Sequence, residues 1–431
     1  MGHFIRIFGV GCVAISIAVS ASVVANAAGT ETVIHNFSTT ANGKNPRTGP
    51  VIDASTGAFY GVAAGGTNGQ GLVYQILPPK AGQSKWTYTV IYNNPANADP
   101  LTTAYNYIYA SKNVIYVVGG TAVFSLTPPQ SGTGDWTPTV LHAFSRWNDG
   151  KQPEGPLAMD SHGALYGTTV YGGTGCQKYT GCGTVYELAP PMTQGQPWSF
   201  SVLYHFPGGA AGEKPLDGVI FDKQGNLYGS AAFDFPSGKS LIFKLTPPSG
   251  AGEWTESVLY HFYPTSTCYS GGPLAIDANG ALYGGFSAFA SLGYGCNDTE
   301  DEYAFQLAPS QADPNVWVRT KMRVFSNSNL PGGFNLKSPL TVDSSGNVYG
   351  ATQLGGTPGG GTAFVLKPRP GVPGKWNYGA LFDFLNGGTG GANTTGDVPN
   401  GGLVFDPAGA LYGTTQTGGN GNHGVVFQLT P

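Results

Sequence analysis

Short runs of apolar residues separated by turn residues fill the chain, and no segment repeats its apolar positions at helical spacing. The pattern is clearest at 401–419, GGLVFDPAGALYGTTQTGG. Leu403-Val404-Phe405 and Leu411-Tyr412 flank an Asp-x-x-Gly turn, which predicts a β-hairpin. The aspartate can accept from the turn backbone, and the glycine takes the left-handed position without a Cβ clash. The stretch recurs as GPLAMDSHGALYGTTVYGG from Gly155, DGVIFDKQGNLYGSAAF from Asp217 and GGPLAIDANGALYGGF from Gly271. SPLTVDSSGNVYGATQLGG follows from Ser338, GPVIDASTGAFYGVAAGG stands at Gly49, and a worn copy, YNYIYASKNVIYVVGG, begins at Tyr105. Tyr60, Tyr116, Tyr166, Tyr228, Tyr283, Tyr349 and Tyr412 therefore share one role.

A third apolar run follows each hairpin (GLVYQILPP at Gly71, GTVYELAPP at Gly183, GVVFQLTP at Gly424). A Pro/Gly turn and a tryptophan come next: Trp86, Trp136, Trp198, Trp254, Trp317 or Trp376. A fourth run then ends on Phe144, Phe206, Phe262, Phe325 or Phe384, with Asn94 in that place after Trp86. The unit is a four-stranded meander, and its seven copies predict an all-β, seven-bladed β-propeller of antiparallel blades. The chain offers TVIHNF at Thr32, a fourth strand without its first three, and ends on a third strand without its fourth. Thr32–Phe37 is expected to complete the sheet of 401–431 and close the ring.

Glycine is 68 of 431 residues and charged residues are only 10%, while hydrophobic residues reach 40%. That balance fits a packed, turn-rich β protein rather than disorder. Net charge is −4 with no basic cluster, which argues against a nucleic-acid partner.

The recurring L-V-F-D-x-x-G-x-L-Y-G-T-T and V-F-x-L-T-P-P segments resemble the GloVer-type tandem repeats of exported bacterial proteins. The likeness spans the chain beyond its N-terminal segment. It implies export and a repeat array, and it names no activity.

The N-terminal segment reads as a secretory signal: Arg6, an apolar and small stretch over 7–24, then Ala25-Asn26-Ala27 for cleavage. The expected domains are residues 1–27 as signal peptide and 28–431 as one propeller, secreted or periplasmic, with no stable membrane insertion after cleavage. Four cysteines remain beyond the signal, and the expected disulfides are Cys176–Cys182 and Cys268–Cys296, with other pairings open.

In such a meander the Asp-x-x-Gly and Pro-Trp turns share one face and are short and uniform. The other face carries loops of varied length, where binding is expected. One of these loops, residues 145–154, brings Arg146, Trp147, Asp149, Lys151 and Glu154 together, and Trp147 is the one tryptophan outside the repeat turn. An indole covers the apolar face of a sugar ring while charged groups bond its hydroxyls. The plainer alternative packs Trp147 on a neighbouring loop. Asp298, Glu300, Asp301 and Glu302 supply carboxylates for Ca²⁺, though their spacing is not that of an EF-hand, and a solvated acidic loop is the alternative.

The repeated turn aspartates are expected to be structural, and His35, His142, His205 and His261 to be packing residues rather than metal ligands. Residues 419–424 fit G-x-G-x-x-G but lie between strands, so no dinucleotide site is expected. The leading expectation is an extracellular binding module for carbohydrate or a surface partner. The alternatives are a hydrolase or lyase of polysaccharide or lactone, with Glu154 and Asp217 as its carboxylates, and a structural envelope protein.

Overall fold

The structure, a computed structural model, describes residues 29–95, 107–132, 134–144, 147–176, 181–193, 195–232, 239–250, 252–263, 272–286, 302–325, 333–336, 339–357, 359–385 and 395–430. These residues form seven antiparallel sheets, each a blade of a propeller. The fourth blade shows the plan, with Val219–Phe221 innermost, then Leu227–Ala232, Ser240–Thr246 and Thr255–Phe262 outermost. Two blades count five strands because their first strand splits: Lys44–Pro46 with Val51–Asp53, and Gly396–Pro399 with Val404–Phe405. Helix among the described residues is limited to one 3-10 turn, Gly209–Ala211.

The ring closes as the sequence predicts. Thr30–Asn36 pairs antiparallel with Val425–Thr430, placing Val33 opposite Phe427, and so becomes the outer strand of the seventh blade. Two sheet edges that would otherwise be open are thereby satisfied.

Turn chemistry builds each blade. Asp406 Oδ1 accepts from the amides of Ala408 and Ala410 at 2.9 and 2.8 Å, and Gly409 takes φ 87°. The Tyr412 hydroxyl donates to Asp406 Oδ2 at 3.0 Å, and Tyr228, Tyr283 and Tyr349 repeat this bond with Asp222, Asp277 and Asp343. The turn aspartates are thus structural. In the worn second blade Lys112 and Asn113 both take positive φ, 51° and 60°, as a two-residue primed turn requires. Asn113 also donates its amide to Asp53 of the first blade at 2.6 Å.

The core lies between blades. Tyrosine and tryptophan meet across each of five junctions: Tyr60–Trp136, Tyr116–Trp198, Tyr228–Trp317, Tyr283–Trp376 and, across the closure, Tyr412–Trp86, with centroids 5.8–6.2 Å apart. Phe37, Phe206 and Phe384, which end their fourth runs, are wholly buried. Asn94, the exception, is buried too and donates to the Gln70 carbonyl at 2.8 Å.

The innermost strands come so close that only glycine fits. A Cβ on Gly155 would lie 2.2 Å from the Gly218 nitrogen in the next blade, and one on Gly401 would lie 1.9 Å from that of Gly49.

Candidate functional site

The mouth of the axis on the loop face is built by a segment that recurs at or just before the start of the first strand. Gly43, Gly150, Gly212, Gly333 and Gly396 each stand ten residues before the turn aspartate of their blade. Two residues after each glycine comes a left-handed residue: Asn45 (φ 48°), Gln152 (56°), Lys214 (52°), Asn335 (66°) and Val398 (57°). For a β-branched residue such as Val398 that conformation is an outlier, held by its surroundings. Proline follows in four of the five cases, at Pro46, Pro153, Pro215 and Pro399. The next residues along the chain form the rim and include Arg47, Glu154, Asp217 and Asn400.

The rim is fixed from behind. Buried hydroxyls of the second strands hold it, Thr168 donating to the Glu154 carbonyl at 3.0 Å and Thr414 to the Thr48 carbonyl at 2.9 Å. Ser230 donates to Asp217 Oδ2 at 2.6 Å, and Gln152 to Glu154 Oε2 at 3.2 Å. On the sixth and seventh blades a chain of amides runs around the mouth. Asn335 donates to Gln353 Oε1 at 2.5 Å, Gln353 donates to Asn400, and Asn400 donates to the Arg47 carbonyl at 3.3 Å.

Glu154 and Asp217 stand on the third and fourth blades, and both carboxyls are raised. Burial pushes the Asp217 carboxyl up to about 6, against the pull of the Ser230 hydroxyl. Burial also raises Glu154, the Gln152 bond opposes that, and the negative charge of Asp217 raises it further. A carboxyl raised by burial keeps its proton to a higher pH than an exposed one.

The loop expected over 145–154 is shorter than that, because Lys151 to Glu154 already lie in the first strand of the third blade, Lys151–Met159. Trp147 is 49% exposed, and Lys151 Nζ stands 3.8 Å above its ring. The Trp147 carbonyl accepts from Gly173 at 2.6 Å, which fastens this loop to the loop between the second and third strands. Asp149 turns to His142 Nε2 at 3.2 Å. Arg146 lies outside the described residues.

Of the expected Ca²⁺ ligands, Asp298, Glu300 and Asp301 lie outside the described residues. Glu302 is buried, and its Oε2 accepts from the amides of Asn335 and Leu336. Among the described residues no three His, Cys, Asp or Glu groups gather to hold a metal. Cys176 and Cys182 are disulfide-bonded, whereas Cys268 and Cys296 lie outside the described residues.

The histidines pack. His35 stacks on Tyr88 and His142 on Phe200 at 3.7 and 3.8 Å. His205 Nδ1 accepts from Thr174, and His261 Nε2 meets the Ala210 carbonyl at 3.0 Å. Among the described residues no helix is long and apolar enough to cross a membrane.

The repeated left-handed residue escapes a reading of sequence, although the glycine ahead of it recurs at fixed spacing and was there to be seen. The amide chain from Asn335 to Asn400 carries no sequence signal, because its members come from different blades.

No curated protein matches the chain. Among solved structures, similarity extends to the polysaccharide lyase Uly1 (10% identity, TM-score 0.49, covering 89% of both chains). It extends also to the endosialidase of phage phi92 (10% identity, TM-score 0.45, covering 93% of this chain and 68% of that one). A third is the PQQ domain of pyranose dehydrogenase from Coprinopsis cinerea (12% identity, TM-score 0.42, 94% and 97% covered). Within the chain itself, residues 92–296 match the Gloeobacter/Verrucomicrobia repeat, the family that its tandem motifs resemble.

Proposed function

We propose that the protein is an exported binding module that takes a carbohydrate at the loop-face mouth of its third and fourth blades. The carrying observation is the half-exposed indole of Trp147, with Lys151 above it, at the start of the strand that bears Glu154. A pyranose ring offers an apolar face to such an indole and hydroxyls to the cation and carboxylates beside it. In this reading Arg146 and Asp149 frame the loop, and Asp217 completes the rim. Export through the N-terminal signal and the Cys176–Cys182 bridge belong to the same picture. Binding to a glycan array, with Trp147→Ala as the paired variant, tests it. The expected result is a ligand that the variant loses, and no ligand at millimolar concentration refutes it.

A second reading rests on the raised carboxyl pair. Glu154 and Asp217 would divide the roles of general acid and base in a hydrolase or lyase of polysaccharide or lactone. Turnover of a polysaccharide panel, abolished by Asp217→Asn and by Glu154→Gln, supports this reading over simple binding.

The acidic run Asp298, Glu300, Asp301 and Glu302 is proposed to hold Ca²⁺. Because Glu302 already accepts two backbone amides, the first three carboxylates carry the proposal. Unchanged thermal stability on adding Ca²⁺ to chelator-treated protein would count against it.

A further inference from the structure

The turn face, which the uniform turns mark as featureless, carries a groove of about 880 Å³ between the fourth and fifth blades. Its size lies within the range of small-ligand sites. One wall is the row Tyr228, Lys244 and Ser257, neighbours across three adjacent strands of the fourth blade. The opposite wall is the Pro314-Asn315 turn with Trp317, and Lys223 and Asn279 stand at the two hairpin turns.

The fourth blade departs here from the rest of the ring. At the position of Lys244, opposite the repeat tyrosine, the other blades carry Gln75, Ser125, Glu187, Gln306, Val365 and Gln428. Gln75 and Gln306 donate to the tyrosine hydroxyl of their own blade, at 3.0 and 2.8 Å. Lys244 holds its ammonium 5.9 Å from the centre of the Tyr228 ring instead. At the first turn position after the aspartate, the other aspartate turns carry Ala54, Ser161, Ala278, Ser344 or Pro407, and Lys223 is the cation of the set. Its Nζ donates to the Ala278 carbonyl of the fifth blade at 3.1 Å, which leaves two N–H bonds for another acceptor.

Two carboxylates also border the groove, and both are committed to their turns. Asp222 accepts from the amides of Gln224 and Asn226, the Asn226 side chain and the Tyr228 hydroxyl. Asp277 accepts from the amides of Asn279 and Ala281 and from the Tyr283 hydroxyl.

We propose that this groove is a second binding site, for an acidic oligosaccharide. A sugar ring would lie along Trp317, its hydroxyls on Asn279, Asn315 and Ser257, and a uronate carboxylate between Lys223 and Lys244. The aromatic wall favours a ligand with an apolar face, and the two ammonium groups favour an anionic one.

The ring supplies its own control, because Lys244→Gln installs the side chain that the first, fifth and seventh blades already use with their tyrosines. Titration of the full chain with tetragalacturonate and with the neutral cellotetraose, followed by calorimetry, tests the site. Tetragalacturonate is expected to bind. Cellotetraose and the Lys244→Gln variant should each lower affinity by about tenfold or more, the scale of one lost charge-assisted bond. No tetragalacturonate binding at millimolar concentration, equal binding of the two sugars, or full affinity in Lys244→Gln would each overturn the proposal.

Discussion

His35 lies flat on Tyr88, ring centroids 3.7 Å apart and planes 4° from parallel. His35 belongs to the first described strand and Tyr88 to the outer strand of the first blade, so this stack spans the junction where the circle is sealed. Phe37 sits edge-on to both rings and is wholly buried. Phe37→Ala removes the apolar centre of that junction and should cost about 3 kcal/mol or more. Hydrogen exchange will locate the damage. Amides of Val425–Thr430 should lose protection first, while those of Ser240–Thr246 in the fourth blade keep theirs.

The same strand carries an alkaline weakness. Burial pushes the Glu31 carboxyl up to about 7, against the Gly396 amide that it accepts, and its Oε2 has no partner. A raised carboxyl binds its proton more tightly when folded. Its contribution is therefore fully present below the ordinary carboxylate range and is lost as pH rises through about 7. His35 runs the other way. Burial lowers it to about 4, so its contribution is present above 6.5 and lost as pH falls toward 4. Because the two oppose, wild-type stability alone will not separate them. Glu31→Gln will: the variant should be more stable than wild type at pH 8 and no more stable at pH 4, by denaturant midpoint. A constant difference across that range would refute the assignment.

What the sequence made legible is what side chains repeat. Tyr412, Asp406 and Trp86 announce their roles because each copy must solve the same turn and the same junction, and His35 to Phe37 announces closure because the last blade lacks a fourth strand. What stayed hidden is backbone geometry imposed from outside the repeat. No local preference puts Val398 at φ 57°, and nothing in the Gly155-Pro156 pair says that Gly218 of the next blade will press against it. The rim was half legible: Asp217 stands before its first strand as expected and Glu154 lies within its own, but Gln353 and Asn400 become partners only once the ring has closed. The turn face reads as uniform because its turns look alike, and the difference at Lys244 lies on a strand.

Asp406→Ala tests the structural reading of the turn aspartates. The variant loses the acceptor of two backbone amides and of the Tyr412 hydroxyl, and should be destabilised by about 2 kcal/mol. Asp222→Ala should behave alike, with one further bond lost to Asn226. Any carbohydrate binding at the loop face should survive Asp406→Ala at temperatures where the variant is folded. A variant of wild-type stability that has lost a function would mean that the aspartate does chemistry instead.

Two glycines with the same backbone angle separate strain from contact. Gly155 and Gly225 both take φ 84°. A Cβ on Gly225 meets nothing within 4 Å, so Gly225→Ala should cost only the left-handed penalty, about 1 kcal/mol. A Cβ on Gly155 would stand 2.2 Å from the Gly218 nitrogen and 2.6 Å from the Asp217 carbonyl carbon, both backbone atoms of the next blade. Neither can swing aside as a side chain would. Gly155→Ala must push the third and fourth blades apart at the axis, and its cost should exceed that of Gly225→Ala by several-fold in free energy. It should also move the rim, since Glu154 and Asp217 adjoin the two glycines. Chemical shifts of the Asp217 and Ser230 amides should change in Gly155→Ala and stay fixed in Gly225→Ala. Equal destabilisation by the two substitutions would show that the inner strands do not abut at this point.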